Sequence, residues 1–218
     1  MVATSKLATG LGKTIMGTLD YVFTRYYLDK NQEMPIFIPD CNRNRLSKLF
    51  IELDFKLGVE IGVAEGLFSK ILLFKSPRLT LYGIDSWTSY PEYSDTPQSS
   101  FDEAEVKART LLNRYEKCNI VKKFSMDAVK DFDDESLDFV YIDANHAYNY
   151  VLEDITEWYK KVKNGGIVSG HDYDFADVKN ALDKFIKDNN IDNCFVFGRN
   201  EKVAGEIREN QRSWFFVK

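Results

Sequence analysis

The sequence predicts an α/β fold: a doubly wound, mostly parallel seven-stranded sheet with an antiparallel last strand and an N-terminal helical extension. Three observations carry this. From Leu57 onward, short and near-continuously apolar runs alternate with helical patterns, which marks strands buried on both faces of a parallel sheet. Two of the intervening segments gather their apolar residues on one face. They are 149–163, with Val151, Leu152, Ile155, Trp158, Tyr159 and Val162, and 176–188, with Val178, Ala181, Leu182, Phe185 and Ile186. The last two runs have no long helical pattern between them, so the final strand is expected to enter antiparallel.

Taken in order, residues 1–48 read as a helical extension or cap and 49–218 as the main domain. Ile15, Leu19, Tyr21, Val22 and Tyr26 could line one helix face. Pro35 and Pro39 then flank an extended stretch, and a second short helix is expected over Asn44–Leu53. The expected strands are 57–62, 79–84, 119–123, 137–142, 166–170, 193–198 and 213–217. Asn164-Gly165-Gly166 reads as the left-handed cap that ends the helix before it. In 87–105, Trp87, Tyr90, Tyr93 and Phe101 are interleaved with Pro91, Pro97, serines and aspartates. This reads as a long aromatic loop, either a lid over the site or a surface excursion packed on its own rings.

Composition narrows the function classes. A length of 218 residues with 44% apolar residues can close one sizeable core. The net charge of −5 comes with no basic stripe, which leaves a nucleic-acid partner without an electrostatic footprint. No apolar run reaches the length of a membrane span, and Lys6 and Lys13 are not followed by a long apolar segment of the signal-peptide kind. Cys41, Cys118 and Cys194 match neither zinc spacing nor a disulfide framework, so a cytoplasmic location is expected. Thr9-Gly10-Leu11-Gly12-Lys13-Thr14 imitates a phosphate loop. It lacks a preceding strand, and Leu7 stands where the first glycine belongs.

The chemistry concentrates at strand ends. The first strand closes in Gly62, Ala64 and Gly66, with Leu67 where a dinucleotide fingerprint needs its third glycine. Glu60 and Glu65 beside this turn would repel a pyrophosphate and attract a ligand bearing an ammonium and a sulfonium. That favours S-adenosylmethionine over NAD. The second strand ends in Asp85, Ser86 and Trp87, a carboxylate for a ribose diol and an indole for a base. Without a ligand the same residues have plainer readings. Gly62 and Gly66 make a tight turn, Asp85 caps a helix, Trp87 belongs to the core, and Glu65 is a solvated turn residue. Asp127 would cap a short helix at 128–132.

These segments resemble class I S-adenosylmethionine-dependent methyltransferases. Glu60-Ile61-Gly62-Val63-Ala64-Glu65-Gly66 resembles their first motif, and Gly83-Ile84-Asp85 their ribose-binding acid. Ser125-Met126-Asp127 resembles the loop whose acid meets the adenine amino group. Phe139-Val140-Tyr141-Ile142-Asp143 resembles the strand that ends at the methyl-transfer site, and Gly165-Gly166-Ile167-Val168 the turn and strand that follow. The resemblance spans about residues 45–218 and departs at Ala64, where many members have glycine. It implies a Rossmann-like sheet and a cofactor site made of Glu60, Gly62, Ala64, Gly66, Asp85, Ser86, Trp87, Met126, Asp127 and Asp143.

The two histidines, His146 and His171, both follow strand ends and both have aspartates close by, Asp143 and Asp172. In a parallel sheet those ends share one rim, so the four are expected in one pocket. The segments are similar to O-methylating enzymes for sugars and antibiotics and, more distantly, to catechol O-methyltransferases. That resemblance implies a magnesium site at Asp143, His171 and Asp172, with the departure that a histidine replaces an acid. Three outcomes stay open: magnesium on the two aspartates with water, a transition metal that includes His171, or no metal. His146 is the expected base, as an imidazole titrating near neutrality, with Asp143 and His171 as further catalytic candidates. The expected acceptor is a small molecule or saccharide, through a hydroxyl oxygen. The extension is expected to cover that acceptor or pair two copies as a homodimer. The alternatives are a methyltransferase-like binding module without turnover and an NAD-dependent oxidoreductase.

Overall fold

All seven expected strands form, and an eighth joins them. The structure is a computed structural model that describes residues 16–89 and 96–218. Ile15, the Thr9–Thr14 segment, Tyr90, Pro91 and Tyr93 lie outside the described residues.

The elements run α1 (Thr18–Tyr26), β1 (Ile36–Ile38), α2 (Arg43–Glu52), β2 (Leu57–Ile61), α3 (Leu67–Lys75), β3 (Thr80–Asp85), α4 (Gln98–Leu112) and β4 (Cys118–Lys122). They continue as α5 (Ser125–Ala128), β5 (Leu137–Ile142), α6 (Tyr148–Lys161), β6 (Val162–Gly170), α7 (Ala176–Asp188), β7 (Phe195–Phe197) and β8 (Trp214–Val217). The sheet order is β1-β7-β8-β6-β5-β2-β3-β4. Every pairing is parallel except those of β8, which enters antiparallel between β6 and β7. The chain leaves β2 for β3 and β4 on one side and resumes with β5 on the other. The switch point therefore lies between β2 and β5, and their carboxyl ends open the crevice.

Strand residues divide by parity. Phe139 and Tyr141 join the core layer under α1 to α4, and Val140 and Ile142 join the layer under α6 and α7. The amphipathic faces read from sequence are the buried ones: Val151, Ile155 and Trp158 on α6, and Val178, Leu182 and Phe185 on α7.

Four local expectations are corrected. The sheet has eight strands, because Ile36–Ile38 pairs in parallel with β7 at the edge, where the prolines on either side need no partner. A run of three residues is too short to show a period. The Asn164-Gly165-Gly166 stretch is not a helix cap. Helix α6 stops at Lys161 and the chain passes straight into β6, where Gly165 takes φ +79° inside a bulge opposite Leu137–Phe139. The carbonyls of Tyr159 and Val162 at the end of α6 accept instead from the Lys218 ammonium. The second half of the aromatic segment is helical, with Phe101 on α4. The helix expected at 128–132 begins earlier, at Ser125, and ends in a 3-10 turn over Val129–Asp131.

The boundary expected at residue 48 falls inside α2, and the Thr18 hydroxyl of α1 donates to the Gly165 carbonyl at 2.6 Å. No helix among the described residues is long and apolar enough to cross a membrane.

Candidate active site

The turn after β2 is built from backbone. Gly62 sits at φ +85°, and its N–H donates to the Ile84 carbonyl at 2.9 Å. A side chain there would place its Cβ 2.0 Å from the Asp143 carbonyl oxygen, so only glycine fits. Gly66, at φ +81°, opens α3. The Asp85 carboxylate closes the turn across the strands. Its Oδ2 accepts the N–H groups of Val63 (3.0 Å) and Ala64 (2.9 Å), and its Oδ1 accepts that of Trp87 (2.7 Å). Burial raises the pKa of Asp85, and the three N–H donors pull against that rise.

A cavity of about 290 Å³ opens over this turn, with Gly62, Ala64, Asp85, Ser86, Phe101 and Asp143 in its wall. A second, of about 470 Å³, adjoins it and shares Ser125, Ala144 and Asn145. Volumes in this range suit small-molecule sites.

Four residues expected to contact the cofactor are not in the walls of these two cavities. Trp87 is 1% exposed, and its indole N–H donates to the Ala64 carbonyl at 3.0 Å. It braces the turn from below, and its face is not in the cavity wall. Glu60 is buried at 2% exposure and accepts from the Ser69 hydroxyl. Burial lifts its pKa to about 8, so at neutral pH it is mostly a neutral acid beneath the turn. Gly66 packs against Leu112 and Ala108. Asp127 is exposed on α5 and pairs with Lys130 at 3.0 Å, while Met126 lines the second cavity.

The rim beyond β5 and β6 is built from charged side chains. His146 Nε2 lies 2.8 Å from Asp172 Oδ2 and 4.0 Å from Asp143 Oδ1. His171 Nδ1 lies 3.3 Å from Asp172 and 3.8 Å from Asp143. The four residues predicted to converge do so. Burial alone would lower the pKa of His146, but the carboxylates of Asp143 and Asp172 outweigh it and raise it to about 9. This corrects the near-neutral imidazole expected from sequence. For His171 burial again works downward, and the same two acids carry the pKa up. Asp172 resists its burial because both imidazoles hold it well below the usual carboxylate range.

Asp143, His146 and Asp172 offer donor atoms within 4.8 Å of one another, so His146 rather than His171 completes the tightest set. Two carboxylates and one imidazole fit a divalent cation. The nitrogen donor suits manganese, iron or zinc better than magnesium.

Two rim residues had no signal in the sequence. Arg43, at the start of α2, reaches Asp143 at 3.2 Å, stacks over Phe68 and hydrogen-bonds Tyr141. Glu209 accepts both the Arg43 backbone N–H and its side-chain Nε at 3.0 Å, and stands 3.9 Å from His171 Nε2. Among the described residues that nitrogen, which is buried, has no hydrogen-bond partner, and neither does the buried Asn145 Nδ2 at the junction of the two cavities. The contacts of Arg43 span 100 residues to Asp143 and 166 to Glu209, so no local pattern could announce them.

A family model described as "Methyltransferase domain" matches residues 59–173, more than half of the chain. Solved structures share the fold at low identity. A protein assigned as a caffeoyl-CoA O-methyltransferase from Staphylococcus aureus superposes with TM-score 0.59 at 14% identity, covering 80% of this chain and 82% of that one. An rRNA methylase from Streptococcus thermophilus gives TM-score 0.56 at 13% identity, over 80% and 94% of the two chains. A precorrin-6y C5,15-methyltransferase from Geobacter metallireducens gives 0.54 at 13%, over 79% and 85%. No curated protein matches the chain in sequence.

Proposed function

The chain belongs to the methyltransferase-domain family of class I S-adenosylmethionine-dependent enzymes, and on that premise we propose that it transfers a methyl group from S-adenosylmethionine to a hydroxyl oxygen of a small molecule or sugar. One observation carries the reading. The Asp143–His146–Asp172 cluster, with His171 against it, sits on the same edge of the sheet as the Gly62–Asp85 turn, and Asp143 belongs to both.

The sulfonium methyl is electrophilic from the start, so the protein has two tasks: alignment and removal of the acceptor's proton. Asp85 offers its carboxylate oxygens to the ribose hydroxyls, held in place by the three N–H groups that it accepts. Asp143 faces the cavity, held by Arg43, and orients the cofactor's amino group or the acceptor. The acceptor's proton passes to the His146–Asp172 pair. Because the acids raise His146 to about 9, proton acceptance strengthens as the pH rises toward that value. A divalent cation held by Asp143, His146 and Asp172 would supply Lewis acidity to the acceptor oxygen. The mixed-sign rim and the net charge of −5 favour a neutral polyhydroxyl acceptor over a nucleic acid.

The test is a methyl-transfer assay with S-adenosylmethionine against panels of sugars, phenols and RNA, read by product mass. Hydroxyl methylation in the sugar or phenol panel is expected. Methylation of RNA alone, or of a nitrogen or carbon centre, would overturn the acceptor reading. Chelator treatment followed by manganese or magnesium then separates the two roles of the cluster. Loss and recovery of activity would mark a cation site. Indifference to chelator with collapse in His146→Ala would mark base catalysis.

A further inference from the structure

We propose that Asp154, with Ser125 against it, is the group that reads the hydrogen-bonding edge of the cofactor's adenine. This rests on the reading of the cofactor as S-adenosylmethionine. The sequence resemblance assigned that task to Asp127, but Asp127 is exposed and engaged with Lys130. The cavity of about 470 Å³ adjoins the ribose-side cavity through Ser125, Ala144 and Asn145, and Asp154 is in its wall. A purine attached to a ribose on Asp85 must lie in the space next to that ribose. The adjoining cavity is where such a ring has room. Asn145 Nδ2 at the junction, buried and without a partner among the described residues, is an independent sign that a polar ligand completes this place.

Asp154 projects from the second turn of α6 and is 4% exposed. The Ser125 hydroxyl donates to its Oδ1, and that hydroxyl in turn accepts the Trp158 indole N–H at 2.8 Å. The carboxyl is thereby held in one orientation. Adenine presents an acceptor, N1, beside a donor, the 6-amino group. A carboxylate offers only acceptors and would face N1 with like polarity. A neutral carboxylic acid offers one O–H donor and one acceptor, the complement of that edge. Burial raises the pKa of Asp154 to about 7, and Glu153 on the same helix adds to the rise against the Ser125 hydrogen bond. From α5 it meets the uncharged Ser125, while Asp127 and Lys130 pair with each other toward solvent. Hypoxanthine, with N1–H and a 6-oxo group, reverses the pattern; it would need the proton on Oδ1, the oxygen that already accepts the Ser125 hydroxyl, and should bind more weakly.

The experiment measures binding of S-adenosylhomocysteine and S-inosylhomocysteine to the intact protein by titration calorimetry from pH 6 to 9. The wild type should prefer the adenine ligand by about tenfold or more, the worth of one net hydrogen bond. Its affinity should hold below about pH 7 and fall above, because only the protonated acid is complementary. Asp154→Asn, which carries one acceptor and one donor at every pH, should keep the affinity and flatten the profile. Asp154→Ala should lose the preference. Equal binding of the two ligands by the wild type, or a flat wild-type profile with Asp154→Ala unchanged, would overturn the assignment while leaving the cofactor reading intact. Binding of neither ligand by folded wild type would overturn the cofactor reading and this inference together.

Discussion

The two halves of the site are held by different means. The half over β2 and β3 is fixed by main chain: two glycines at positive φ and one carboxylate gathering three N–H groups. The half over β5 and β6 is fixed by an ionic net of Arg43, Asp143, His146, His171, Asp172 and Glu209, drawn from four separate stretches of chain. Main-chain geometry resists changes of solution conditions and tolerates almost no change of residue. A net of charges tolerates substitution in the fold but answers to pH, salt and bound cations. A cofactor of constant shape suits the first, and chemistry that moves a proton suits the second.

The sharpest way to break that contrast is Gly62→Ala. The new Cβ would meet the Asp143 carbonyl, and the left-handed φ is strained for alanine, so a loss of roughly 3–5 kcal/mol is expected. A thermal melt should fall accordingly, with S-adenosylhomocysteine binding gone. A melt within a degree of wild type would mean the turn is looser than its geometry states. On the other half, His146→Ala should leave cofactor affinity near wild type while turnover drops roughly 10²–10⁴-fold, and its melt should fall at neutral pH because the protonated imidazole paired with Asp172 is lost. The wild-type rate should climb with pH toward about 9 as the imidazole loses its proton, and the variant should lack that climb. A variant with an unchanged pH–rate profile would assign the base elsewhere.

Asp85→Ala comes next. It frees three N–H groups at once and removes the ribose acceptor, and should weaken cofactor binding by about 1.5–3 kcal/mol. Calorimetry showing wild-type affinity would contradict the turn's role. The smallest effect tests the one ionisable group hidden beneath the main-chain half. Glu60 is protonated more readily in the folded protein (about 8) than in the unfolded chain (4.5), so wild-type stability falls as pH rises between those values. Glu60→Gln should therefore gain stability relative to wild type between pH 4 and pH 8. Denaturant midpoints at the two pH values measure this, and a constant difference would show that Glu60 titrates normally.

The same division explains what could be read from the sequence. Turn glycines, the strand-ending Asp85 and the faces of α6 and α7 are written in adjacent residues, and the convergence of both histidines follows from parallel topology alone. Arg43 and Glu209 meet only because β1 and the segment before β8 bring distant chain to one corner. Trp87 shows a different limit. The position of an aromatic after a ribose acid was visible, but its side was set by the indole N–H finding Ala64 beneath the turn. Asn164-Gly165-Gly166 has the composition of a left-handed helix cap but lies in β6, and the carbonyls at the end of α6 meet Lys218 from far along the chain. The place of His146 follows from topology, but its proton affinity depends on two carboxylates whose distances no spacing supplies.

Strand β8 has a consequence for the order in which the protein can assemble. Strands β1 and β7 touch the rest of the sheet only through it, because β7 pairs with β1 on one side and β8 on the other. As the chain is synthesised, β1 emerges early and waits through well over a hundred residues for β7. The pair then has nothing to join until Trp214–Val217 arrives and slots in against the run of the others. During that interval β6 presents an unpaired edge, and Phe195 and Phe197 lack the Phe215 ring that covers them. This late-made strand thus serves as a keystone of the sheet. A chain cut short before it should keep β2 to β6 as a partial sheet with a sticky margin, and proofreading by chaperones or proteases would have a clear feature to recognise.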